Sequence, residues 1–118
     1  MRRRPDAGFR LTSRARFRQL TADVLATLPD AVRAALRGAD IRHGEVPPPA
    51  VLTGDEVPLV RLTTEGSRIA AVEVYRRPLE ARAGSAPDLA ELLRMALARE
   101  VAEALGLDLG DGWDELGY

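Results

Sequence analysis

Glu100 follows Arg99 directly and stands three residues before Glu103, in the stretch "REVAE". The spacing is that of H-E-x-x-H, a helix on which two histidines one turn apart hold zinc while the glutamate activates water. Here a guanidinium and a carboxylate occupy the two flanking positions. Taken alone, the pattern reads better as a charged helix edge: an arginine and a glutamate four residues apart can pair, for a few tenths of a kcal/mol when exposed.

Little else in the chain could do nucleophilic or metal chemistry. Cysteine is absent, so disulfides, iron–sulfur clusters, thiolate zinc sites and cysteine nucleophiles are excluded together. His43 is the single histidine. On or at the end of a strand it reads as a solvent-facing or hydrogen-bonded side chain rather than a lone ligand. Asp108 and Asp111 lie in an acidic C-terminal stretch.

Charge is uneven along the 118 residues. Residues 1–20 carry seven arginines against Asp6, while every charged residue after Arg99 is acidic, and the net charge is only −1. Every basic residue is arginine, which reads as a coding bias. The arm of residues 1–12 reads as basic and solvated. With the rest of the chain acidic, the Arg2–Arg4 and Arg10–Arg18 cluster is a weaker alternative as a contact for nucleic acid or an anionic surface. No stretch approaches the roughly 20 apolar residues of a membrane span or forms the apolar run of a signal peptide, so the expected location is the cytoplasm.

The positioning elements follow from periodicity and punctuation. Ser13 can cap a helix through "RARFRQLTADVLATL", with Phe17, Leu20, Val24 and Leu28 on one stripe. Pro29 stops it and opens a second helix, "PDAVRAALR", closed by Gly38. "ADIRHGEV" reads as a strand, and the prolines at 47–49 predict loop as far as Asp55. "VPLVRLT" and "RIAAVEVY" alternate apolar and polar residues around "TEGS", a hairpin, giving a sheet of about three strands. Pro78 to Ala83 reads as a helical turn. Ser85 with Asp88 caps the longest helix, which runs to about Leu105 and stops at Gly106.

At about 100° per residue from Leu89 on that last helix, Leu93, Ala96, Leu97 and Ala104 share one face, and Glu100 falls near its middle, at about 20°. Arg99 and Glu103 lie along the edge of that face. A carboxylate at Glu100 would be costly to bury unpaired.

The order of all these pieces resembles a minimal zincin-like zinc metallopeptidase family of bacteria, over roughly residues 14 to 118. "RFRQLTADVLATLPDAVRAAL" is similar to its opening helices, "ADIRHGEVPPP" and "VPLVRL" to its strands, and "IAAVEVYRRPLEARAGSAPDLAELL" to its approach to the last helix. "REVAEALGLDLGDGWDELGY" looks like the family's H-E-I-A-H-H-F-G helix and its D-E-L-G-Y ending. The resemblance implies a small α+β single domain over residues 13–118, with N-terminal helices, a sheet of about three strands and a long C-terminal helix that carries the former active site.

Carried over by position, the first ligand of active relatives falls on Arg99, the general base on Glu100, the second ligand on Glu103, the glycine on Gly106 and the third ligand, an aspartate, on Leu109. Only the base and the glycine are kept. The tail is one residue longer than the family pattern, which leaves Asp108 or Asp111 open as a shifted ligand. Arginine cannot deprotonate, and a fixed cation would repel a metal. The expectation is a non-catalytic member that needs no cofactor, zinc being the cofactor of active relatives, with an ion pair from Arg99 to Glu103 or Glu100 and a cleft for a peptide or protein partner. The alternative is a metal-dependent hydrolase using Glu100, Glu103, Asp108 and Asp111 with manganese or magnesium. "YRRPLEAR", Tyr75 to Arg82, could form a basic patch at the cleft but reads as structural, and Tyr75 as core or site equally. Trp113, Leu116 and Tyr118 read as a helical turn packing back on the core. The sequence gives no oligomeric state.

Overall fold

The computed structural model describes residues 13–52, 54 and 56–109. The basic arm at 1–12, the tail with Asp111, Trp113, Leu116 and Tyr118, and two loop positions lie outside the described residues. Helices α1 (Arg14–Ala26) and α2 (Asp30–Leu36) come first, then strand β1 (Asp40–Gly44). Next are a short 3₁₀ turn (Pro49–Val51), β2 (Val60–Glu65), β3 (Arg68–Tyr75), α3 (Arg76–Arg82) and α4 (Ala86–Leu105). The architecture is α+β.

Local chemistry sets most of these boundaries. Ser13 accepts from the Arg16 backbone N–H at 3.2 Å and Ser85 from that of Asp88 at 3.2 Å, so both capping serines act as expected. Gly106 ends α4 at φ +66°, the left-handed conformation that glycine takes without strain. Two expectations need correction. The loop after the prolines contains the 3₁₀ turn, because Pro49 can start a turn whose first N–H would be unpaired anyway. Pro78 is the third residue of α3 rather than its start, and the helix begins at Arg76.

The strand order is β1-β3-β2, with β3 central, parallel to β1 and antiparallel to β2. β3 buries residues on both faces: Ile69, Ala71, Val72, Val74 and Tyr75 are all buried. Tyr75 is thereby core, and its hydroxyl donates to Glu73 Oε1 at 3.3 Å.

α4 is the hub of the domain. It packs against α1, α2, α3 and β2, and Leu89, Leu93, Ala96, Leu97, Ala98 and Val101 are buried almost completely. A single apolar stripe does not describe it: Met95 and Ala98 are buried away from the expected face, while Ala104, expected inside, is exposed. Neighbours on several sides widen the buried arc, and the last turn projects beyond them. No helix among the described residues is long and apolar enough to cross a membrane.

Candidate functional site

The exposed remainder of α4 forms one wall of a cleft. The opposite wall is β2 with the extended residues before it, and Val51 from the 3₁₀ turn closes one side. Two adjoining depressions of about 370 and 470 Å³ make up the cleft, and both are lined by Val51, Pro58, Val60, Glu100 and Glu103. Arg82, Ala96 and Arg99 line the first; Arg61, Leu62, Thr64 and Ala104 line the second. Among the described residues β2 is an edge strand, with no partner strand on the side away from β3.

Arg99 and Glu103 meet across one helical turn, with Arg99 Nε donating to Glu103 Oε1 at 3.4 Å. Their side chains are 50% and 64% exposed, which limits the pair to a few tenths of a kcal/mol. The rigidity of α4 therefore comes from its buried leucines and alanines and not from this pair.

Glu100 is half-buried between the pair and the strand wall. Desolvation raises its carboxyl above the usual glutamate range, the negative charge of Glu103 adds to the rise, and Arg99 opposes it. The carboxyl is directed at a cleft that could hold another molecule. Leu109 is partly buried against the core and Asp108 is exposed.

His43 is not where a ligand would be needed. It lies on β1 under α1, edge-on to Phe17 with ring centroids 5.7 Å apart, and its buried Nε2 makes no hydrogen bond. The residue as a whole is only partly buried, so the expected solvent-facing ring is met in part, while Nε2 is buried and without a hydrogen-bond partner among the described residues. Burial, and then the charge of Arg18, lower its pKa.

The family model for zincin-like metallopeptidases matches residues 30–115, well over half of the chain. The chain belongs to the zincin-like metallopeptidase family. No match was found among curated proteins. In this family zinc is the implied cofactor, and the residues here do not fit it. Of the positions that the resemblance assigns to ligands, Arg99 is a guanidinium with no lone pair to donate, Glu103 a carboxylate engaged by that guanidinium, and Leu109 a hydrocarbon. Among the described residues no three side chains of histidine, cysteine, aspartate or glutamate gather as a metal would require. Asp111, part of the carboxylate-rich alternative, lies outside the described residues.

Sequence reasoning located Arg99, Glu100 and Glu103 on one side of one helix. It set the cleft beside the hairpin's edge strand, missed Val51 and Glu56 to Leu59, and preferred a structural role for the stretch whose Arg82 lines the cleft. The legible signal for that wall was Val51, Leu52 and Val57, apolar residues on either side of Gly54 that precede the alternating strand.

Proposed function

We propose that this zincin-like chain is a non-catalytic family member whose cleft binds a peptide or a segment of a partner protein. The observation that carries the reading is the Arg99–Glu103 ion pair on the two positions where active relatives hold zinc. A fixed guanidinium there opposes a metal cation, and without a metal there is no Lewis acid to lower the pKa of a water for Glu100 to use. Binding is supported by the edge strand β2 beside an open cleft, since an extended segment can add to such an edge through its backbone.

The test is the metal content of the purified chain by mass spectrometry, joined to melting curves with zinc, with manganese and with a chelator. Absence of stoichiometric metal and an unchanged melting temperature are the expected results. Stoichiometric metal, or a melt that falls with chelator, would overturn the reading and return attention to Glu100, Glu103 and the neighbouring aspartates.

A further inference from the structure

Val46, Leu52 and Val57 are the large apolar side chains left exposed among the described residues, at 57%, 45% and 50%. Isolated exposed apolar residues are common on any surface. These three are not isolated, because all of them line a single groove of about 670 Å³ between the loop after β1 and helix α3, floored by Pro47 and Pro78. That volume falls within the range of about 300–1,000 Å³ usual for ligand sites.

The rim carries a charge pattern of its own. Arg77 and Arg82 of α3 are exposed beside the groove, and neither makes an ion pair among the described residues. Their neighbour Arg76 differs: it is held by Glu45 at 2.9 Å and faces Glu80 at 4.0 Å. Arg76 therefore fixes α3 to the end of β1, while Arg77 and Arg82 remain available. Glu56 is the one carboxylate among the described residues that line the groove. Glu56, Val57 and Arg82 also line the cleft of Arg99 and Glu100, so the groove and the cleft are continuous.

We propose that this groove docks an extended segment of a partner protein in which a large aliphatic or aromatic side chain stands next to an acidic residue. The apolar side chain fills the space between Val46, Leu52 and Val57. The acid pairs with Arg77 or Arg82, whose planar guanidinium groups can each take a carboxylate through two hydrogen bonds. On the α4 side Arg99 is already paired with Glu103 and Glu100 stands beside them, whereas on the α3 side Arg77 and Arg82 outnumber Glu56, so an acid is favoured on the α3 side. The inference rests on the peptide-binding reading above and adds the chemistry of the partner.

The test uses the full chain, ¹⁵N-labelled, titrated in turn with three capped peptides: Gly-Asp-Leu-Asp-Gly, Gly-Lys-Leu-Lys-Gly and Gly-Asp-Ala-Asp-Gly. The first peptide is expected to shift the amides of Leu52, Val57, Arg77, Ala81 and Arg82 saturably, with the other two weaker by about tenfold or more, a difference of about 1.4 kcal/mol. Arg77→Glu with Arg82→Glu, both at exposed positions, is expected to abolish the preference for the acidic peptide. Equal binding of all three peptides, or no saturable shift at the groove, would sink the proposal. Shifts confined to β2 and α4 would also sink it while leaving a peptide-binding cleft in place. Contacts in the peptide-free spectra between Trp113 and Leu52 would assign the groove to the chain's own acidic segment. Broadening of groove amides with protein concentration would assign it to a second copy. Either result overturns a partner protein as the occupant.

Discussion

Arg99 Nε lies 3.4 Å from Glu103 Oε1, so the two residues that the resemblance sets against zinc-binding histidines are joined to each other. The geometry is one helical turn, and it predicts what restoring the histidines would do. The variant Arg99→His with Glu103→His is expected to bind zinc where the parent chain does not. Its melting temperature should rise with zinc, toward the roughly 2.7 kcal/mol that a ligand at a hundred times its Kd contributes. Isothermal titration and thermal melts with zinc check this.

Glu100 should make the fold more stable when it is protonated. Its folded pKa is raised, so the folded state binds the proton more tightly than the unfolded chain. Between the ordinary glutamate value and the raised one, stability therefore falls as pH increases. Glu100→Gln is expected to raise the melting temperature at neutral pH and to leave it unchanged well below the ordinary value, where the carboxyl is neutral in both states. Melts of both proteins across pH would show this, and a lower melting temperature for the variant at pH 7 would contradict it.

His43 has the opposite sign. Its folded pKa is lowered, so the unfolded chain takes up the proton first, and stability is lost as pH falls below the ordinary histidine value toward the folded one. Burial disfavours the charged imidazolium, and the nearby positive charge of Arg18 adds to the effect. His43→Phe keeps a ring against Phe17 and is expected to flatten this loss of stability as the pH falls below about 6.5, the ordinary histidine value. Denaturant midpoints at several pH values measure it.

The hub helix should be intolerant of truncation inside and indifferent outside. Leu97 is fully buried, and Leu97→Ala is expected to cost about 2–5 kcal/mol through lost burial and the cavity left behind. Glu103→Ala, removing an exposed pair, should cost no more than about 1 kcal/mol. Urea unfolding of the two variants separates the cases.

Gly106 ends α4 with positive φ, and among the described residues nothing lies within reach of a prospective Cβ, so the penalty on substitution comes from the backbone. Gly106→Ala is expected to cost about 1 kcal/mol. Equilibrium unfolding of this variant would check the figure.

The sequence by itself determined the elements and the identity of the helix that carries the site. Ser13, Ser85 and Gly106 punctuate the helices through hydrogen bonds and backbone conformations that act within a few residues. "RIAAVEVY" specified β3 to the residue, and the order of motifs specified the family. The spacing of Arg99 and Glu103 already contained their pairing, because one helical turn separates them wherever the helix lies.

Only the tertiary structure decided what faces Glu100 and what covers His43. Those are contacts between segments far apart in sequence, set by how α4 is held among α1, α2, α3 and β2. The same packing made α4 buried around much of its circumference, which a single-stripe reading could not anticipate. It also brought Val46, Leu52 and Val57 onto one groove beside Arg77 and Arg82. Local chemistry depends on neighbours along the chain, whereas a surface is defined by which distant residues the core leaves side by side.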